Sequence, residues 1–124
     1  MQTLREILLE RYAVLHNLSP RTLEVMGQTL DRWRDQLGHE PTVDDLDDLA
    51  VSRFVRWRAT TPHRGRLASP ATTRKDLAHC VSLWNYLARK RATKSSGEIV
   101  DFPDLPRNLI RVPHRLPQAY TVDE

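Results

Sequence analysis

The sequence predicts an all-α domain of four helices followed by an extended C-terminal tail. Apolar residues recur at spacings of three and four, and strand-like alternation is nowhere sustained. Four of the eight prolines fall after residue 92, where no helical stripe is present. With 124 residues and 40% hydrophobic content, the chain can bury one core without metal or disulfide support. We therefore expect a helical domain over residues 1–92 and an extended tail over residues 93–124.

The first helix is predicted from a capping box, in which Thr3 is followed three residues later by Glu6. Its expected buried face consists of Leu4, Leu8, Tyr12 and Leu15. We expect this helix to end near Asn17.

The second helix is predicted to begin at Pro20, after the N-cap residue Ser19, and to end near residue 37 because Gly38 follows. Its apolar stripe contains Leu23, Met26, Leu30, Trp33 and Leu37. Gly27 interrupts the stripe at a cost of roughly 1 kcal/mol relative to alanine. This cost predicts that another group approaches the helix closely at Gly27.

The third helix is predicted to start after Thr42 and Asp45, which have capping-box spacing. Its expected buried face is Leu46, Ala50, Phe54 and Trp57. Asp44, Asp45 and Asp47 would lie in the first turn, where the helix dipole favours acidic side chains. These acids therefore need no catalytic explanation.

The fourth helix is predicted from Pro70 to about Arg91, after an exposed loop over residues 60–68. Arg64, Gly65 and Arg66 are expected at the tip of that loop. The expected core stripe of the helix is Leu77, Val81, Trp84 and Leu87 or Ala88, with Cys80 beside it.

Charge is unevenly distributed along the chain, although the net charge is only +3. Residues 49–94 contain eleven Lys or Arg and a single acid, Asp76, whereas residues 40–48 carry five acids and no base. A concentration of basic residues is the electrostatic footprint of a phosphate-bearing partner. A solvated charged face would produce the same pattern, so charge alone leaves both interpretations open.

Two stretches, SPRT at residues 19–22 and SPAT at residues 69–72, open the second and fourth helices in the same way. Serine is a strong N-cap, and proline fits the first helical position because its missing N–H has no helical partner. Both stretches place a threonine hydroxyl and the positive end of a helix dipole where a phosphate oxygen could bind. They are equally consistent with simple helix caps.

The three runs LSPRTLEVMGQTLDRWRDQLG, PTVDDLDDLAVSRFVRW and SPATTRKDLAHCVSLWNYLARK occur in this order along the chain. Together they resemble the core-binding domain of tyrosine site-specific recombinases, the phage integrase family, over residues 1–92. The resemblance implies a four-helix, SAM-like fold whose second and fourth helices lie against duplex DNA. RLPQAYTVDE, at residues 115–124, looks like the linker into that family's catalytic domain, whose catalytic residues have no counterpart here.

From the resemblance and the basic residues we expect contacts with DNA, mostly with phosphates. The expected contact residues are Ser19, Arg21, Thr22, Arg32, Arg64, Arg66, Thr72, Thr73, Arg74, Lys75 and His79. The expected partners are double-stranded DNA and other recombinase protomers, with no membrane and no small-molecule substrate. The alternative is a helical protein-interaction module whose basic surface meets an acidic partner.

Catalytic, metal and cofactor sites are not expected. The three tyrosines, Tyr12, Tyr86 and Tyr120, lack the cationic cluster that a nucleophile attacking DNA would need. Asp76, His79 and Cys80 could share one helical turn as a metal site or a Cys–His pair, but core packing for Cys80 and solvent or phosphate for His79 are preferred. The three tryptophans are expected in the core rather than stacked on bases. The single cysteine and the absence of a signal peptide or membrane segment favour a cytoplasmic protein.

Overall fold

Four helices and one short 3₁₀ turn form the regular structure of residues 1–110, the part of the chain that the computed structural model describes. Helix α1 is continuous and consists of Leu4–Ile7, a π-helical segment Leu8–Tyr12, and Ala13–Leu15. The remaining elements are α2 at Pro20–Leu37, the 3₁₀ turn at Val43–Asp45, α3 at Asp48–Thr60 and α4 at Pro70–Arg89. Strands are absent from these residues, which contain only isolated bridges, so the all-α prediction is confirmed.

Helix α1 begins at the predicted capping box, because the side chains of Thr3 and Glu6 each accept a hydrogen bond from the backbone N–H of the other. Its second half differs from the prediction, because the N–H of Ala13 donates to the carbonyl of Leu8, five residues earlier. This wider turn rotates the following residues relative to an α-helical register. Leu15, predicted on the buried face, is therefore 62% exposed.

Helix α2 has the bounds that the sequence predicts, and Gly38 ends it in the left-handed conformation with φ +84°. Met26, Leu30 and Trp33 are buried as expected. The interpretation of Gly27 is wrong, because a β-carbon there would lie 3.8 Å from its nearest neighbour, an Arg5 guanidinium nitrogen. That distance is an ordinary contact, so the packing does not require glycine.

Helix α3 begins later than predicted. The box formed by Thr42 and Asp45 caps the 3₁₀ turn, and Leu46 then leaves helical geometry with ψ +76°. Asp47 is the N-cap of α3, and its carboxylate accepts from the N–H of Ala50 at 2.7 Å. The buried face accordingly includes two residues that the prediction missed, Val51 and Val55.

Helix α4 ends in a Schellman motif, in which Ala92 and Arg91 donate to the carbonyls of Leu87 and Ala88. The chain then folds back, because Thr93 and Ile99 form an antiparallel bridge.

Val100 is buried in the core, and the indole N–H of Trp84 donates to the carbonyl of Asp101 at 2.6 Å. Leu105, Leu109 and Ile110 also pack against the core, so parts of the segment predicted as an extended tail contact the helices, although most of residues 93–110 are exposed. The expected linker residues 115–124 and Tyr120 lie outside the described part of the chain.

The core lies where α2, α3 and α4 meet α1. Trp33 is fully buried and stacks on Phe54 with ring centroids 5.5 Å apart, and Phe54 in turn stacks on the half-buried Trp57. Trp84 and Cys80 are also buried, so core packing is confirmed for these side chains. Among the described helices, none combines the length and apolar character that a membrane crossing requires.

Candidate nucleic-acid interface

A groove of about 500 Å³ opens between α2, the end of α3, the following loop and the first turns of α4. Five of its lining residues are basic and two are acidic, and we call it the basic groove. Its lining consists of Arg21, Val25, Gln28, Asp31, Arg32, Arg58, His63, Arg64, Thr72, Lys75 and Asp76. Among these described residues Val25 is the single apolar one, so the groove suits a charged, hydrated ligand better than an apolar one.

One face of α2 forms a wall of the basic groove. Arg21, Val25, Gln28 and Arg32 follow each other at spacings of four, three and four residues, which places them in one row along the helix. The two arginines stand about 16 Å apart along the helix axis, at a rise of 1.5 Å per residue. The row therefore carries an arginine at each end and uncharged side chains in its centre. Asp31 also lines the groove beside Arg32, and its carboxylate is bound to Arg5 at 2.7 Å.

The two Ser-Pro-x-Thr starts have the same local geometry. Ser19 Oγ accepts from the N–H of Thr22 at 3.1 Å and donates to the hydroxyl of Thr22 at 2.9 Å. Ser69 and Thr72 repeat both bonds at 3.1 Å. Each serine is thus occupied as a cap, while each exposed threonine keeps its own hydroxyl proton for an outside acceptor.

Fewer backbone amides are free at these helix starts than an anion site would offer. In α2 the N–H groups of Thr22 and Leu23 donate to Ser19, and Pro20 has none, which leaves that of Arg21. Ser69 occupies the equivalent amides of α4. Binding of a phosphate would therefore depend on side chains more than on free amides.

The first turns of α4 separate the predicted contacts into two groups. Thr72, Arg74 and Lys75 are exposed. Thr73 is 1% exposed, and its hydroxyl donates to the carbonyl of Ser69 at 3.1 Å. The prediction that Thr73 contacts DNA is therefore wrong, because successive helical residues point about 100° apart and Thr73 faces the core.

A hydrogen-bonded network joins α2, α3 and α4 beside the groove. The hydroxyl of Thr29 lies 2.9 Å from Asp76 Oδ1 and 2.7 Å from His79 Nδ1, and Arg58 Nε donates to Asp76 Oδ2 at 2.9 Å. Because the single hydroxyl proton of Thr29 goes to the carboxylate, Nδ1 of His79 must carry a proton and donate to Thr29. His79 is thus held by the network, and it does not line the groove as a free phosphate ligand.

Burial lowers the pKa of His79, and the positive charge of Lys75 acts in the same direction, although Asp76 partly opposes both. The neutral imidazole is therefore favoured at neutral pH. Burial also raises the pKa of the Cys80 thiol, which leaves that group protonated and unreactive.

Arg58 is a site residue that the sequence prediction did not include. Its side chain is only 13% exposed, and its Nε atom is bound to Asp76. Within residues 1–110, its two terminal nitrogens have no hydrogen-bond partner, so they remain available to a ligand in the groove. The sequence carried one signal for this pair, since Asp76 is the single acid among the bases of residues 49–94.

The loop after α3 closes one end of the groove with a tight turn. His63 and Arg66 exchange backbone hydrogen bonds of 2.8 and 3.1 Å, and Arg64 and Gly65 between them have φ of +54° and +78°. Two successive positive φ values are those of a type I′ turn. The turn fixes Arg64 at the tip, as the sequence predicts, and all four residues are exposed.

Positive charge is dense around this turn. The guanidinium of Arg32 lies against the imidazole of His63. Desolvation by its neighbours and the charges of Arg32, Arg64 and Arg58 lower the pKa of His63, with only a small opposing effect of Asp35. An anion in the groove would relieve this repulsion.

The structure brings together five of the eleven predicted contacts in the basic groove, namely Arg21, Arg32, Arg64, Thr72 and Lys75. Ser19, Thr22, Arg66 and Arg74 are exposed but do not line it. Some of the arginines already have acidic neighbours, since Arg21 pairs with Glu24 at 2.7 Å and Arg32 with Asp35 at 3.0 Å. The Arg21–Glu24 pair is exposed, and such pairs are weak and exchange readily for a phosphate, whereas the Arg32 side chain is only 19% exposed.

Other chemistry finds little support among residues 1–110. No three His, Cys, Asp or Glu side chains in this range are placed to hold a metal ion. Tyr12 stacks on His16, with ring centroids 4.1 Å apart, and meets the edge of the buried Tyr86. Both tyrosines therefore have packing roles.

Comparison of the chain with protein-family models, with curated proteins and with solved structures gave no match. The resemblance to the recombinase core-binding domain therefore stands on the sequence motifs alone.

Proposed function

We propose that this domain binds duplex DNA through the basic groove and serves as the core-binding domain of a tyrosine recombinase. In this proposal the domain positions DNA for integration or site-specific recombination and does not itself cut or join strands. Strand exchange would come from a separate catalytic domain, acting together with other recombinase protomers.

The observation that carries the proposal is the convergence of charge at the groove. Arg21 comes from the first turn of α2, Arg58 from the end of α3, Arg64 from the turn and Lys75 from α4, so four separate segments supply bases to one concave surface. A phosphate backbone, with regularly spaced negative charges, is complementary to such a surface.

The resemblance adds orientation to this electrostatic argument. In the family that the motifs resemble, the second and fourth helices lie against DNA, and here α2 and α4 provide two walls of the groove. Thr22 and Thr72, each with a free hydroxyl proton at a helix start, are positioned to donate to phosphate oxygens as well.

The alternative, a protein-interaction module with a basic surface, predicts a different kind of site. Interfaces between proteins bury apolar and aromatic side chains at their centre. In the described structure the groove offers Val25 alone. An acidic protein could still use the bases, so the experiment must compare DNA with a polyanionic protein.

The test is a fluorescence anisotropy titration of the full 124-residue chain with a labelled duplex of about 20 base pairs, at several salt concentrations. With three to five phosphate contacts, log Kd should rise with log salt with a slope of about 3 to 5. The Kd for non-specific duplex should be in the range of roughly 10⁻⁴ to 10⁻⁶ M at physiological salt.

An acidic polypeptide of matched charge serves as the competitor. The proposal is supported if the acidic polypeptide displaces the labelled duplex only at charge concentrations far above those at which unlabelled duplex displaces it. Absence of duplex binding at low salt, or equal competition by the acidic polypeptide, would contradict it.

A further inference from the structure

The centre of the α2 wall carries side chains that a phosphate clamp does not need. Val25 and Gln28 stand between Arg21 and Arg32 in the same row, and all four line the basic groove. Gln28 is exposed, and within residues 1–110 its amide has no hydrogen-bond partner in the protein. The amide is therefore available to a ligand that occupies the groove.

The side chains of the row change from charged at its two ends to uncharged in its centre, which is an arrangement compatible with recognition of bases. Charged groups at the two ends suit phosphates on either side of a groove about 12 Å wide, because arginine side chains extend several ångströms beyond the helix. The central positions then face the base edges. A glutamine amide presents one donor and one acceptor side by side, which matches N7 and N6 of adenine in the major groove.

Val25 complements this arrangement. It lies one turn before Gln28, is half-buried, and presents methyl groups to the groove. Apolar contact with the C5 methyl group of thymine is the readout available to such a side chain. Val25 and Gln28 together are therefore the kinds of side chain expected to recognise one A·T pair or two neighbouring A·T pairs.

We propose that Gln28 is a sequence-reading residue of this domain, which selects adenine in the major groove while the arginines at the ends of its row hold phosphates. The proposal rests on the proposed function, because it requires that duplex DNA occupies the basic groove.

The experiment selects duplexes from a pool with a randomised central region, using the full chain at moderate salt, and sequences the retained DNA. The wild type should enrich adenine at one position of the recovered site by roughly 5- to 150-fold over the other bases. Gln28→Ala should flatten that position and leave the rest of the site unchanged. Gln28→Arg should move the preference there to guanine, whose O6 and N7 accept from arginine.

Gln2→Ala is the matched control, because Gln2 is an exposed glutamine that bonds to Glu10 and does not line the groove. It should reproduce the wild-type site. Circular dichroism of each variant verifies that the helices are retained. A Gln28→Ala variant that recovers the same adenine as the wild type would overturn the inference.

The two proposals fail in different ways. If the wild type retains duplexes but no base preference depends on residue 28, the proposal that Gln28 recognises adenine is overturned, and the proposal of DNA binding is not. If the wild type retains no duplex even at low salt, both proposals are overturned.

Discussion

Arg58 and Asp76 form a 2.9 Å ion pair across α3 and α4, with side chains only 13% and 9% exposed. The second carboxylate oxygen of Asp76 accepts from the hydroxyl of Thr29 on α2, so the pair links three helices. Both residues also line the basic groove. The same contact therefore contributes to the fold and fixes a cation at the candidate binding surface.

Asp76→Ala is expected to destabilise the domain by about 3 kcal/mol, because it leaves the largely buried Arg58 without its counter-ion. Chemical denaturation followed by circular dichroism measures this change in the free energy of unfolding. Glu24→Ala is the control, since it breaks the exposed pair with Arg21 and should cost less than about 1 kcal/mol. Equal losses in the two variants would show that the Arg58–Asp76 pair has no special structural role.

Gly27→Ala is expected to stabilise the domain by up to about 1 kcal/mol, because alanine has the higher helix propensity and its β-carbon has room beside Arg5. The substitution at Gly38 provides the contrast. Gly38 has φ +84°, where a side chain is strained, so Gly38→Ala should be destabilising. Thermal or denaturant unfolding of both variants checks the signs, and a loss of stability in Gly27→Ala would mean that the helix cannot accept a side chain there.

The stability of the domain is expected to depend on the protonation of His79. Its pKa is lowered in the folded state from an ordinary value of about 6.5, mainly by burial, so the unfolded chain binds the proton more tightly. The stabilising contribution is therefore fully present well above pH 6.5 and is lost as the pH falls below that value.

The matched variant for this effect is His79→Asn, whose amide nitrogen can replace Nδ1 as the donor to Thr29 but does not titrate in this range. Denaturation curves between pH 7.5 and pH 5 should show a steeper loss of stability for the wild type than for the variant. Parallel pH profiles would contradict the account of the buried network.

The sequence was sufficient to predict elements whose ends carry strong local signals. Ser19 with Pro20, and Gly38 at the opposite end, define α2 to the residue, because caps and stops depend on the few residues around them. The start of α3 was misplaced because Thr42 and Asp47 are both good N-caps, and the box of Thr42 with Asp45 caps a separate 3₁₀ turn that precedes the helix. The π-helical segment of α1 has no comparable local signal, so the exposure of Leu15 could not be foreseen.

The candidate site was predictable in composition and less so in detail. The charge of residues 49–94 and the two helix starts predicted residues of which five line the basic groove, but burial of Thr73 beside exposed Thr72 depends on how α4 is rotated against the core. The contacts of Arg58 and His79 join helices that are distant in sequence. Such pairings follow from tertiary packing, which local patterns do not specify.

The most direct test of the central claim compares two double substitutions on α4 that remove the same charge. Arg74 and Lys75 lie in its first turns, whereas Arg89 and Lys90 lie fifteen residues later, about 22 Å along the helix, and all four are exposed. Duplex affinity of both variants is measured by anisotropy across a salt series.

If DNA occupies the basic groove, replacing Arg74 and Lys75 with alanine should weaken binding at least about tenfold. The salt slope should fall by roughly 1, because Lys75 lines the groove and Arg74 lies outside its lining. The Arg89 and Lys90 double variant should retain the affinity and slope of the wild type. Equal weakening of both variants would show that only net charge matters and would contradict binding at the groove.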